Sequence, residues 1–334
     1  MLQSISWILR RTIITVVTWI LAVSITVLII LVAPPGDPAR TLMLDCMNRG
    51  GSQHECLIEV QTYLGLQPEE PLIVKWAKWT YNTLTFNLGI SWYYRVSVNR
   101  IIADAVPWTL FLTSYALILT IPIGILLGII LAYYRSNRIF FTSVSAALSV
   151  INAIPVWLIA VYLYLYVGAR WELLPHRGPY DINVTPGLNL SFLLSVLHHH
   201  LLPALAYFIV SLPSWALPMA TLASSILRED YVAIAKARGL PKGRVLTAYV
   251  MRNSVLPMYT RISLTFAAML TGAVWIENQF ALLGLGRILG AVSGIRDYPT
   301  MMGIYCVSLS AIIIGNLLTD LTYALIDPRA RLED

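Results

Sequence analysis

The chain has 334 residues, of which 57% are apolar and only 12% charged, and it carries a formal charge of +6 at neutral pH. A soluble domain of this size carries about a quarter charged residues, so the deficit excludes an ordinary water-soluble enzyme or binding module. The positive excess is concentrated on one set of connecting segments, as membrane topology requires, and no nucleic-acid partner is implied.

The first element is an apolar run over 13–32, preceded by Arg10 and Arg11. It is too long for the h-region of a signal peptide, and no A-x-A-like site follows, so it reads as a retained first span. The next segment, 33–106, opens with Pro34-Pro-Gly36 and holds Trp76, Trp79, Trp92, Tyr93 and Tyr94. This pattern predicts a small external subdomain whose short helices lie at the membrane interface, where amphipathic aromatics sit. Cys46 and Cys56 both fall within it. Their spacing is as compatible with a disulfide in an oxidising compartment as with two free thiols.

Five more apolar runs follow, over 109–133, 139–167, 201–222, 262–280 and 301–325. Each approaches or exceeds the roughly 20 residues that cross a bilayer. The run over 139–167 is long enough to tilt or leave the membrane, and Pro155 within it predicts a kink. Between it and the next span, 168–200 is rich in Gly, Pro and Asn and reads as irregular. Cys306, in the last run, reads as an apolar packing residue. The expected fold is an all-α polytopic membrane protein with six transmembrane helices. It forms one membrane domain over 1–334, with an external loop subdomain at 33–106 and a large inside loop at 223–257.

Six spans place both termini on one side, and basic residues choose which side. Arg10, Arg11, Arg135, Arg138, Arg228, Lys236, Arg238, Lys242, Arg244, Arg252, Arg329 and Arg331 share one set of segments. The opposite set is diluted by Asp37, Asp45, Glu55, Glu59, Glu69, Glu70, Glu172 and Asp181. Both termini are therefore expected in the cytoplasm.

The inside loop carries the chemistry. Glu229 and Asp230 suit a helix N-terminus, where carboxylates oppose the positive dipole end. Ala233, Ala235 and Ala237 give a short helix that another surface can approach closely. Gly239 stops that helix as a C′ glycine, and Pro241 suits the first turn of the next one. The segment 228–257 thus reads as a helix–Gly–Pro–helix elbow, basic and facing the cytoplasm, returning to the membrane through Asn253, Leu256 and Pro257.

This stretch resembles the EAA-type coupling loop of ABC importer permeases, in the form found in the dipeptide/oligopeptide/nickel family: D-Y-x-x-x-A-x-A-x-G-L followed by R-N-x-x-L-P. The match lies at Asp230, Tyr231, Ala235, Ala237, Gly239, Leu240, Arg252, Asn253, Leu256 and Pro257. Ala233 stands where many such permeases carry Glu, which removes any salt bridge assigned to that glutamate but leaves the helix intact. Other fragments resemble the family in the same order: Ile8-Leu-Arg-Arg11, Pro35-Gly-Asp-Pro-Ala39, Leu64-Gly-Leu66 with Pro71-Leu72, and Asn87-Leu-Gly-Ile-Ser91. Glu277, Phe280, Gly284-Leu-Gly286, Arg296-Asp-Tyr-Pro299 and Asp327-Pro-Arg329 complete the series.

The resemblance implies a type I ABC importer permease fold and a partner set. That set is a second homologous permease subunit, two cytoplasmic ABC ATPase subunits, an extracellular solute-binding protein and membrane lipid. It implies that this chain binds no cofactor of its own, ATP and Mg being held by the ATPase subunits. The sequence agrees: no Gly-Lys pair occurs, so a G-x-x-x-x-G-K-[ST] phosphate loop is missing. Di- or oligopeptides are the expected solute, with oligosaccharides or nickel as the alternatives within the same transporter type.

Charge inside a membrane is costly, about 2.5–3.5 kcal/mol on insertion scales, so Glu277 and Asp320 need reasons. Glu277, with Phe280, is a candidate for the external gate or pathway. The reading preferred here is a carboxylate satisfied by neighbouring backbone N–H groups or by an arginine such as Arg287, because the family's glutamate accompanies a turn. Asp320 reads as a pairing or capping residue near the cytoplasmic end. His198-His199-His200 reads as an interfacial polar patch, since adjacent helical residues point apart and cannot easily share one ion. A secondary transporter or channel would explain the apolar runs too. It would require ionisable residues inside several spans, and the second to fourth spans hold essentially none.

Overall fold

A computed structural model of the chain describes residues 2–32, 36–259 and 261–326, which are overwhelmingly helical. Pro34, Pro35, Arg331 and the Asp327-Pro-Arg329 fragment lie outside the described residues. The helices run α1 (Leu2–Val32), α2 (Pro38–Asn48), α3 (Gln53–Leu64), α4 (Leu72–Leu84), α5 (Val98–Tyr133), α6 (Arg138–Ala153) and α7 (Val156–Tyr162). Then follow α8 (Leu190–Ile226), α9 (Asp230–Ala237), α10 (Lys242–Arg244), α11 (Arg252–Val255), α12 (Arg261–Gln279), α13 (Leu285–Ile295) and α14 (Tyr298–Ile326). Two wide-turned π segments, Leu163–Arg170 and Val245–Met251, extend α7 and α10.

Among the described residues, four helices are long and apolar enough to cross a bilayer: Trp7–Val32, Val98–Ser136, Leu190–Ile226 and Tyr298–Thr322. A fifth crossing results if Arg138–Ala153 and Val156–Arg170 are taken together across their 93° bend. The bend falls at Ile154 and Pro155, because proline disfavours helical geometry in its predecessor and cannot donate to the preceding turn. The region expected as the fifth span is α12, whose continuous apolar stretch among the described residues is only Arg261–Leu270.

The chain forms two compact units, Met1–Trp108 with Gly284–Asp334, and Thr109–Leu283. In the first, α1 packs on α14 and α4 around Val23, Val27, Leu64, Trp79 and Met302. Trp79 is buried and Trp76 donates from its indole N–H to the Ser24 carbonyl at 3.0 Å. Trp76 and Trp79 therefore pack into the core shared by α1, α4 and α14, whereas Tyr93 and Tyr94 of the same segment are exposed. The reason lies in α4, whose Trp76, Trp79 and Thr83 recur at three- and four-residue spacing and turn one stripe inward.

Cys46 and Cys56 are joined by a disulfide that ties α2 to α3. Asp37 caps α2, accepting from the Ala39 N–H at 3.0 Å, and also pairs with the buried ammonium of Lys75. The Pro68 carbonyl takes a second Lys75 proton at 2.8 Å. Asp320 pairs with Arg11 at 2.7 Å, joining α14 to α1. Cys306 is buried, its thiol 3.8 Å from the Thr83 carbonyl.

In the second unit α6, α7 and α12 pack on α8. Gly124 and Gly128 on α5 are seated against Trp215 and Met219 on α8, so that an added Cβ at either would lie 2.5 Å from a neighbouring Cβ. Glycine at this four-residue interval lets two helix backbones approach closely. His200 is fully buried, edge-on to Phe111, with Nδ1 2.9 Å from the Val196 carbonyl. Only His198 of the three histidines is exposed, so the expected polar patch is split by the helical turn.

Candidate functional site: a basic helical elbow

The elbow begins where α8 ends, at Leu227. Glu229 is the N-cap of α9, and its carbonyl accepts from Val232 and Ala233 at 3.0 and 3.1 Å. Asp230 stands in the first turn and Lys236 in the last, each complementary to the helix dipole. The helix stops as its sequence predicts. Gly239 has φ +75° and donates to the Lys236 carbonyl at 2.9 Å, while Leu240 donates to the Ala235 carbonyl at 3.4 Å. These paired bonds form a Schellman stop, and Leu240 packs in the same apolar cluster as Ala235.

Pro241 is the N-cap of α10, one residue before the first turn in which it was expected. Its ψ of 143° is extended, and its carbonyl accepts from Arg244 and Val245 at 2.9 and 3.1 Å. The correction follows from geometry: an extended ψ redirects the chain after the glycine, and a helical ψ at Pro241 would not.

The two faces of α9 differ. Val232 and Ala235 are buried with Ala132, Ala223, Val245 and Val250. Tyr231 and Ile234 are 40% and 55% exposed, and Ala233 and Ala237 lie open beside them. Around Gly239 and Gly243 nothing lies within 4 Å of where a Cβ would stand. The elbow therefore offers a small-residue, partly apolar surface flanked by Arg238, Lys242 and Arg244, all exposed.

Besides that apolar packing, the two halves of the elbow are joined by a side-chain hydrogen bond. Asn253 Nδ2 donates to the Tyr231 hydroxyl at 3.1 Å and to the Tyr249 carbonyl at 2.8 Å. Arg252 points outward beside it, and Pro257 opens the 3-10 turn Leu256–Met258. That turn buries Met258 against Trp215, Met219 and Ile129, anchoring the return strut to α8 and α5.

Glu277 and Phe280 lie elsewhere in the same unit. Glu277 is fully buried, and the Thr109 hydroxyl donates to its carboxylate at 2.7 Å. Phe280 is 1% exposed and packs edge-on to Tyr164, while its carbonyl accepts from the Gly178 N–H at 3.0 Å. In the first unit two other family-like fragments interlock. Ser91 and Thr300 hydroxyls and the Tyr93 N–H all donate to the buried Asp297 carboxylate. Sequence reasoning missed the Gly124–Gly128 seat and the Lys75–Asp37 pair. The four-residue glycine interval inside an apolar run was a readable signal for the first.

Residues 124–332 match the family described as binding-protein-dependent transport system inner membrane component. The chain belongs to that family. The component, a multi-pass membrane protein, contains the whole elbow within the matched residues. It is 33% identical over 317 residues to a peptide permease protein, so named, of Brucella suis biovar 1 strain 1330, covering 93% of this chain and 95% of the relative. It is 28% identical over 325 residues to the oligopeptide transport system permease protein AppB of Bacillus subtilis strain 168, covering 97% and 98%. Among solved structures, the MetNI methionine ABC transporter in inward-facing conformations matches with a TM-score of 0.52, 14% identity, and 69% and 96% of the two chains covered. At that identity the likeness speaks for the fold alone, which is that of an ABC importer permease.

Proposed function

We propose that the chain is a translocation-pathway subunit of an ATP-driven importer of di- or oligopeptides, coupled through 230–239 to separate ATPase subunits. The observation that carries this reading is the elbow itself. A Schellman-stopped helix presents Tyr231, Ala233, Ile234 and Ala237 outward and is tied to its return strut by Tyr231–Asn253. Such a rigid knob suits a groove on a protein that closes on ATP and reopens after hydrolysis. Movement of the knob passes to α8 through Leu227 and to α12 through the Leu256–Met258 turn, as a rigid-body switch does. A second homologous permease completes the pathway, and an external binding protein delivers the solute.

In this reading α12 and the bent α6–α7 pair each complete a crossing, giving six, with both termini in the cytoplasm. The Cys46–Cys56 bridge supports an oxidising compartment for α2 and α3. Purification from the native membrane tests the proposal. P-loop ATPases should accompany the wild type and be lost from Ala233→Trp and Ala237→Glu. Recovery of the chain alone, moving solute without ATP, would overturn it.

A further inference from the structure

A cavity of about 350 Å³ opens in the first unit, walled by α2, α3, the turn after Ser91 and the α13–α14 turn. Asp45, Arg49, Glu59, Trp92, Arg95 and Arg296 contribute to its walls. Arg49 is neutralised within the wall, its guanidinium 3.0 Å from Glu59 and 3.4 Å from Asp45. Arg95 and Arg296 differ: among the described residues no carboxylate forms an ion pair with either. The Arg95 Cζ lies over the Tyr63 ring, 5.2 Å from its centroid, a contact that commits none of the guanidinium's N–H donors to a carboxylate.

Both arginines also hold left-handed backbone, with φ of 58° and 59°. Only five non-glycine residues among those described do so, and two of them face this one cavity. Such strain persists only where the surroundings over-determine it, and it clusters at functional sites. Here one buried carboxylate fixes both turns. Asp297 directly follows Arg296, and it binds the Ser91 hydroxyl and the Tyr93 N–H of the turn that ends in Arg95. The Arg95 N–H closes that turn on the Ser91 carbonyl at 2.9 Å. Trp92 is held edge-on between Tyr63 and Tyr298, at 6.4 and 5.8 Å, and gives the cavity a rigid aromatic wall.

We propose that this cavity binds a small organic carboxylate of about dipeptide size, with the carboxylate at Arg95 and Arg296 and the apolar part against Trp92. The Tyr63 ring and the α13 C-cap account for where the two arginines stand but leave both charges without a carboxylate among the described residues, and glycine would hold the same backbone without strain. An anion explains both features, because charge-assisted hydrogen bonds to a forked guanidinium favour a planar carboxylate. The site stands on its own geometry and needs no ATPase, so its failure and the failure of the coupling reading are separable.

The test is calorimetric titration of the full chain, purified in detergent without any external binding protein, using alanyl-alanine and its C-terminal amide. The free acid should bind at least tenfold more tightly than the amide. Arg95→Gly and Arg296→Gly should each weaken it at least tenfold while the thermal midpoint holds or rises, and Arg100→Gln should leave binding unchanged. If a glycine variant does not fold, Arg95→Gln and Arg296→Gln carry the same test. Equal binding of acid and amide, no saturable binding, or full binding by the arginine variants would overturn the proposal. So would saturation of the cavity by an acidic protein surface in place of the dipeptide.

Discussion

Lys75 is the least expected residue in the structure: it is a lysine with 2% side-chain exposure inside an aromatic-rich helix. Its charge is matched by Asp37, 38 residues earlier, and nothing in the spacing of α4 announces that partner. Breaking a buried pair leaves an uncompensated charge, which costs about 3–5 kcal/mol. Asp37→Ala should therefore lower the thermal midpoint of the purified protein sharply, and Lys75→Met combined with Asp37→Leu should restore much of it. At the elbow the effects are smaller and of another kind. Tyr231→Phe removes one exposed hydrogen bond, worth about 0.5–1.5 kcal/mol, and keeps the ring. Its midpoint should barely move while ATPase activity stimulated by solute falls, which a coupled-assembly assay reads directly. Gly239 and Asp230 were legible because helix stops and starts are local chemistry. Lys75 and Asp297 were not assigned partners, and for Glu277 the Thr109 hydroxyl was not foreseen, because these partners come from distant parts of the chain.

At the scale of elements, the clearest dependence is the crossing of α5 and α8. A methyl at Gly128 would meet the Met219 Cβ at 2.5 Å and the Ala216 carbonyl at 2.6 Å, so the helices must separate. Gly128→Ala should cost about 1–3 kcal/mol, as overpacking does, whereas Gly294→Ala, with open space around it, should be nearly neutral. Thermal unfolding of the two variants side by side decides this.

α3 offers a pH-dependent counterpart. Its capping box joins Ser52 and Glu55 reciprocally, and the backbone and hydroxyl of Ser52 hold the Glu55 carboxyl below its ordinary range. A lowered folded value means the cap contributes fully above the ordinary carboxylate range, near about pH 4.3, and is lost as pH falls through the lowered value. Glu55→Gln should remove that part of the acid dependence of unfolding, whereas Ser52→Ala keeps the backbone donor and should remove only the hydroxyl's share. The disulfide beside it closes a ten-residue separation, and reducing it should cost about 2–4 kcal/mol in the α2–α3 subdomain. Gly51 packs so close that an added Cβ would stand 2.8 Å from both sulfurs, which explains why a small residue follows the α2 turn.

For the molecule as a whole, hydropathy gave the helical class and the positions of the longest helices, because apolar runs must satisfy their backbone internally. The kink was legible at Pro155, but its 93° size was not, since composition is the same on both sides of a bend. Nor did hydropathy separate the two compact units, which depend on contacts between the first and last parts of the chain. The proposed topology has a direct check. Asn183→Cys should react with an impermeant thiol reagent from outside intact cells, and Gly243→Cys only after the inner face is opened. Both positions are exposed, and the native Cys306 is buried. α8 carries a geometric corollary. Its 37 residues make a rod of about 55 Å, far longer than the roughly 30 Å of hydrocarbon it must cross. A rod of that length rotating by only about 10° about its far end sweeps its near end through about 10 Å, and that near end is where the elbow is attached. Pro203, Pro213 and Pro218 each remove a rung from the same rod, so it has joints as well as reach.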